Sequence, residues 1–267
     1  MFRVSRADVA SAWRDLRRSV AATHVWGMLG WQEIRQRYRR STLGPLWLTL
    51  STGVLIAGMG PLYGKLLNQD ISTYFPFLAI GLIVWQLLAG LVNESCTAFT
   101  SAESLIKQLD LPLSVHVLRV VWKNLIVFAH NFAVVLAVLV LFPQNWGWNI
   151  ALLPFAMLVV ALNGWWTGLF LGMLGARFRD ISPIVGSLVQ IGFFLTPVLW
   201  SVDQLGRHRW VAVWNPLYHF LEILRAPLLG QAIAPTTWLV VAGVTIAGWA
   251  LTFASFGRFR ARIAYWV

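Results

Sequence analysis

Few residues in this chain are placed to make or break bonds. An enzyme working inside a bilayer groups carboxylates or histidines within its spans, because ionisable groups there are costly and kept mainly for function. Here only Glu94 sits at the edge of an apolar stretch. His24, His116, His130, His208 and His219 share no metal-ligand spacing, and His219 with Glu222 reads as a solvated or structural i,i+3 pair. One cysteine, Cys96, excludes an internal disulfide and a thiolate metal cage. The closest approach to a phosphate loop is Gly58-Met59-Gly60-Pro61-Leu62-Tyr63-Gly64-Lys65-Leu66. Its first glycine is out of register, and leucine stands where a magnesium-holding hydroxyl belongs. The expectation is a chain that is not an enzyme, binds no cofactor or metal itself and does not hydrolyse nucleotide.

Two other chemistries remain. Thr100 and Glu103 have capping-box spacing, Glu103 and Lys107 form an i,i+4 pair in the favourable order, and Pro112 ends the run. That pattern predicts a short helix lying parallel to the membrane, with an ordinary capped loop as the plainer alternative. The second chemistry is aromatic. Tryptophan, phenylalanine and tyrosine make up 14% of the chain. Interfacial belts account for rings such as Trp146, Trp148 and Trp238, whereas Trp47, Trp85, Trp165, Trp166, Phe193 and Phe194 fall within spans. Sugar rings have apolar C–H faces that pack on aromatic rings, so a duct lined by such residues would let a glycan slide. Ordinary packing is the competing account of each ring.

These residues must be carried by membrane helices. Of 267 residues 58% are apolar and 12% charged, with a mean hydropathy of +0.67, and such a chain cannot cover a water-facing surface. A crossing helix needs ~20 apolar residues for ~30 Å of hydrocarbon. Uncharged stretches run from Ser41 to Gly64, Ile71 to Asn93, Asn124 to Ala176, Ile181 to Val202 and Ala226 to Gly257. The third is too long for one crossing and is divided by the turn formers and tryptophans of residues 142–149. The expectation is an all-α membrane protein forming a single domain over 1–267, with six transmembrane helices near 43–66, 75–97, 116–141, 150–174, 183–200 and 237–257.

Lysine and arginine set the orientation. The segment before Ser41, the connection after the second span, the connection after the fourth and the 258–267 tail hold seventeen of them. Lys65, Arg207, Arg209 and Arg225 face the other way. Both termini are therefore expected in the cytoplasm, and the net charge of +11 reflects topology rather than nucleic-acid binding. No apolar run resembling a cleaved signal precedes Ser41.

Within residues 1–40, Val9, Trp13, Leu16 and Val20 form an apolar stripe opposite Arg14, Asp15, Arg17 and Arg18, which predicts an amphipathic interfacial helix rather than a frayed basic tail. A second stripe, Gly27, Trp31, Ile34 and Tyr38, leads to the first span. On the far side, residues 201–236 are too apolar for a solvated loop. Tyr218, Leu221, Leu224 and Leu228 recur at helical spacing with Glu222 and Arg225 opposite, and Pro216, Pro227 and Pro235 interrupt. Short helices that dip back into the membrane are expected there.

The run Arg37-Tyr38-Arg39-Arg40-Ser41-Thr42-Leu43-Gly44-Pro45-Leu46-Trp47 closely resembles the approach to the first span in ABC-2 type permeases that export lipid-linked polysaccharides such as O-antigen, capsule and teichoic acid. Ala79 to Glu94 with the following 103–112 stretch, Arg177-Phe178-Arg179-Asp180-Ile181 with Thr196-Pro197-Val198, and Asn215-Pro216-Leu217 agree with the same family. The resemblance implies a homodimeric permease of the bacterial inner membrane that recruits two ATP-binding subunits, with ATP and magnesium held by those partners. It implies an undecaprenyl-linked glycan as substrate. It assigns coupling to the ATPase to Glu103, Ser104 and Lys107, assisted by a 24–40 gate helix. Contact with the lipid diphosphate falls to Arg37, Tyr38, Arg39 and Arg40, although membrane anchoring also explains these arginines. Trp47, Trp85, Phe193 and Phe194 would line a channel formed by the first and fifth spans. Asn215, Pro216, Tyr218, Glu222 and Arg225 would belong to a periplasmic gate. A permease for a small lipid or drug shares this architecture. A membrane-embedded transferase needs a carboxylate or histidine cluster, and a channel or secondary transporter needs charge or broken helices at mid-membrane.

Overall fold

The computed structural model describes residues 6–37, 39, 44 and 46–267, apart from the side chains of 6–8 and 37, and those residues contain helices and connecting turns with no strand. In chain order the helices are α1 (Arg6–Ala21), α2 (Thr23–Arg37), α3 (Leu46–Leu66), α4 (Ile71–Ser95), α5 (Glu103–Gln108), α6 (Ser114–Leu141), α7 (Leu153–Arg177), α8 (Ile181–Leu195), α9 (Trp210–Val213), α10 (Pro216–Leu228), α11 (Pro235–Phe259) and α12 (Ile263–Trp266). Five helical stretches are long and apolar enough to cross a bilayer: Leu46–Leu66, Ile71–Ser95, Ser114–Leu141, Trp148–Arg177 and Pro235–Trp266. The chain is thus a multi-pass membrane protein.

Helix α4 forms the centre. It is apolar all round, as a helix buried on every side must be, and it packs against α3, α6, α7, α8 and α10. Leu78, Ala79 and Ile80 are fully enclosed. Its first turn is capped by Asp70, whose carboxylate accepts the Ser72 backbone N–H at 3.0 Å and the Ser72 hydroxyl at 2.9 Å. These bonds hold the Asp70 carboxyl below the usual carboxylate range. In lipid the hydrophobic effect gives no reason for helices to associate, so close packing must do so. Helix α7 accordingly presents Gly164, Gly168, Gly172 and Gly175. A methyl group at these positions would strike Leu91, Val117, Phe99 and the Cys96 carbonyl respectively.

The expected fifth span, 183–200, is not one helix. Helix α8 has 15 residues, about 22 Å of rise, and stops at Thr196, which is extended because Pro197 follows. The chain nevertheless continues along α4. Gly186 lies beside Asn93, the Phe193 ring lies 5.6 Å from that of Trp85, the Val198 carbonyl faces Gly81, and the Leu199 carbonyl accepts from the Tyr74 hydroxyl at 2.8 Å. Residues 181–200 therefore parallel α4 from Asn93 to Tyr74, about 28 Å at helical rise.

At the basic end of the bundle, Asp15 of α1 departs from the sequence expectation. Asp15 lies on the packed face with Ala12, Leu16 and Ser19, while Val9, Trp13 and Val20 are exposed. The carboxylate of Asp15 accepts from Leu113 N (3.0 Å), Ser114 N (3.0 Å), the Ser114 hydroxyl (2.7 Å) and Arg260 Nε (2.7 Å). One buried acid thus caps α6 and ties α1 to the segment after α11, so the first and last described helices meet at the same end. Likewise Trp31, placed on the α2 stripe, is exposed, and α2 packs through Gly30 and Ile34.

Candidate functional site

Three groups of residues are candidates for function. The first is at the basic end. Helix α5 forms as expected but without the capping box: a 3-10 turn at Thr100–Ala102 precedes it, and the Thr100 hydroxyl donates to the Thr97 carbonyl instead. Glu103 is engaged by Lys107 at 2.7 Å, and both side chains are about half exposed. Hydrogen bonding from Lys107, aided by its charge, holds the Glu103 carboxyl below the usual carboxylate range. Ser104 is exposed beside them. The helix therefore displays a paired, solvated charge pattern, with Ile106 packed against the buried cluster that contains Ala98, Phe99 and Ile263. Arg39 is an exposed turn residue, whereas the Arg37 side chain, Tyr38 and Arg40 lie outside the described residues.

Sequence reasoning missed the polar knot behind this surface. Glu33 of α2 pairs with Arg119 (2.7 Å) and Lys123 (3.0 Å) of α6, and Lys123 also pairs with Glu94 of α4 (2.9 Å). Asn124 donates to Glu94 at 2.7 Å, and Arg119 donates to the Ser101 hydroxyl at 3.0 Å. The knot joins α2, α4, α6 and the approach to α5. The only local trace of it is that Arg119, Lys123 and Asn124 lie within two turns of a largely apolar helix.

The second group is α10. Asn215 caps it, accepting from Leu217 N at 3.0 Å and donating to the Thr196 hydroxyl at 2.8 Å, and Pro216 occupies the first turn. Leu217 reaches Gly192 beside Trp85, roughly halfway along α4, while the Leu228 carbonyl accepts from Trp146 Nε1 at 2.9 Å in the 142–149 turn. Gly230, at φ +70°, follows where a side chain would collide with the Asn145 carbonyl. Helix α10 therefore starts deep in the bundle and rises to the end opposite α1. Leu221 and Leu224 are enclosed as expected, but so is Arg225, which the sequence placed on a polar face; His219, read as solvated or structural, is buried as well. The reason is that α4, α7, α11 and residues 196–198 surround α10 on all sides.

Each buried polar group there is partnered. His219 bonds Thr237 Oγ1 at 3.1 Å and the Val213 carbonyl at 2.8 Å, and Tyr218 packs edge-on against its ring. Arg225 donates to Glu222 and, at 2.7 Å, to the Pro197 carbonyl, with its guanidinium 4.1 Å from the Phe77 ring centre. This ion pair fastens α10 to the break that follows α8.

The third group is the aromatics: Trp85, Phe193 and Phe194 form a row with successive ring centroids 5.6 and 5.4 Å apart, and Trp47 lies on another helix. Trp85 is buried against Phe193 and Gly192, whereas Trp47 is 53% and Phe194 64% exposed on the outer surfaces of α3 and α8. Helices α3 and α8 both lie on α4, and each turns an apolar face outward. No group of three or more metal-ligating side chains exists among the described residues.

The ABC-2 type transporter family matches residues 24–229, from the start of α2 to the end of α10. The chain is 26% identical over 199 residues to the O-antigen export system permease protein RfbA of Myxococcus xanthus, covering 73% of this chain and 76% of that protein. It is also 26% identical over 192 residues to the protein of the same name from Klebsiella pneumoniae, covering 70% and 73%.

Proposed function

Because the chain belongs to the ABC-2 type transporter family, we propose that it is the permease subunit of an ATP-driven exporter carrying a lipid-linked polysaccharide of the O-antigen type. The path would run from the cytoplasm across the bacterial inner membrane. Its relatives named as O-antigen export permeases support that cargo. The single observation carrying the mechanism is the continuity of residues 181–200 along α4, with α10 inserted beside the break at Thr196.

In this reading residues 181–200 are the fifth of six crossings. The Asp15–Arg260 contact supports it, since two termini at one end require an even number of crossings. The lysine and arginine bias puts that end in the cytoplasm. Two copies would join with α3 and α8 around a shared path, where Trp47 and Phe194 are free to meet sugar faces and Trp85 supports the wall from behind. Helix α10 would be the periplasmic gate, with Asn215, Pro216, Tyr218, Glu222 and Arg225 setting its resting position. Two separate ATP-binding subunits, which hold ATP and magnesium, would push on Glu103, Ser104 and Lys107. The knot of Glu33, Arg119, Lys123 and Glu94 would pass that push to the α2 gate helix and the central α4. Arg37, Tyr38, Arg39 and Arg40, at the mouth of the first span, would receive the diphosphate of an undecaprenyl-linked glycan.

The test is deletion of the chain in its host, with the glycan followed on both sides of the inner membrane. Accumulation of lipid-linked glycan on the cytoplasmic side, restored by the intact chain, is expected. Undisturbed surface glycan would overturn the proposal.

A further inference from the structure

Helix α1 rests on the bundle through Ala12, Asp15, Leu16 and Ser19, and its exposed apolar stripe overhangs the flank of α7 and α11. Beneath it lies a groove of about 680 Å³, whose walls include Trp13 and Val20 from α1, Trp165 from α7, and Trp249 and Phe253 from α11. Arg17, exposed on α1, forms the polar edge of the groove. Inside the groove Trp165 and Trp249 meet edge to face, with centroids 5.2 Å apart at 87°. Both indole N–H groups are buried and have no hydrogen-bond partner in the structure.

We propose that this groove binds one anionic glycerophospholipid of the surrounding bilayer. Two features select that occupant. Arg17 is complementary to a phosphodiester headgroup that carries net negative charge, and a zwitterionic headgroup would cancel part of the attraction. The apolar floor suits an acyl chain. The site is on the outside of α7 and α11, away from α3 and α8, so it belongs to the environment of the protein rather than to its cargo. A lipid seated there would brace α1 against α11.

The experiment is native mass spectrometry of the full chain in detergent, titrated with phosphatidylglycerol or with phosphatidylcholine of the same acyl chains. One tight phosphatidylglycerol adduct is expected, with phosphatidylcholine at least about tenfold weaker. Arg17→Gln should weaken phosphatidylglycerol about fivefold, the effect of one basic residue at an anionic surface. Ala21→Trp, which fills the groove without changing charge, should abolish the tight adduct. The comparison of the two lipids on the unaltered chain needs no variant to fold. Equal affinity for both lipids, or indifference to Arg17→Gln in a chain that retains its thermal stability, would overturn the proposal. Displacement of phosphatidylglycerol by equimolar undecaprenyl diphosphate would also overturn it, by showing a substrate site.

Discussion

Arg225 gives the most exacting test of the α10 arrangement. Its side chain is 3% exposed, donates to Glu222 and to the Pro197 carbonyl, and lies over Phe77. Arg225→Met keeps the length of the side chain and removes the charge. It leaves Glu222, whose side chain is 16% exposed, with no counter-ion from Arg225, and it strips the Pro197 carbonyl of its donor. Removing one member of a buried pair costs about 3–5 kcal/mol. The double variant Glu222→Leu with Arg225→Met removes both charges, so the remaining cost is the orphaned carbonyl, about 1–3 kcal/mol. The single variant should therefore be less stable than the double by ~2 kcal/mol. Unfolding of the four members of the cycle in mixed micelles of increasing dodecyl sulfate, followed by circular dichroism, measures this difference. Additive losses, or an Arg225→Met chain as stable as the parent, would refute the claim that the pair clamps α10 to the break after α8.

Other outcomes follow from the same geometry. Asp15→Ala deletes the acceptor for three donors of Leu113 and Ser114 and for Arg260. It should cost about 3–5 kcal/mol and make the α1–α2 junction sensitive to limited proteolysis. Phe194→Ala, at an exposed ring, should change stability by no more than ~0.5 kcal/mol yet slow export of long glycans. Trp85→Ala, in the packed interior, should cost about 3–5 kcal/mol in the same unfolding assay. Glu103→Arg combined with Lys107→Glu reverses the charge pattern displayed by α5 and should uncouple ATP turnover from transport in the reconstituted complex. The lowered Glu103 carboxyl stays ionised until pH falls through its own depressed range, so the Glu103–Lys107 pair stabilises α5 above that range and is lost below it. Glu103→Gln should remove this acid-dependent loss of helicity in a 100–112 peptide.

Much of the fold was legible because apolar length is a strong signal. The first four spans and the last were expected within a few residues of α3, α4, α6, α7 and α11, and the turn formers of 142–149 divided the long stretch correctly. The fifth span failed as a helix at Pro197, where an apolar run hides a backbone constraint that hydropathy does not register. Polar residues were less legible. Asp15 was assigned to the solvated face because its neighbours Arg14, Arg17 and Arg18 are there, but helical angle alone does not say which flank meets another helix. Arg225 was misplaced for a related reason: an amphipathic pattern presumes one wet face, and α10 has none. The knot at Glu33, Arg119, Lys123 and Glu94 joins residues far apart in sequence, and no local pattern brings α2, α4 and α6 together. Ring positions within an apolar helix carry no facing information, which is why Trp85 and Phe194 looked alike in sequence and differ in burial.

The most direct measurement is made on proteoliposomes containing the purified chain, with and without its ATP-binding partner, loaded with an undecaprenyl-diphosphate glycan on the partner's side. If the chain is a conduit driven from outside, it hydrolyses no nucleotide alone, and the glycan crosses only when partner and ATP are both present. Nucleotide hydrolysis by the chain alone, or glycan movement without the partner, would contradict this.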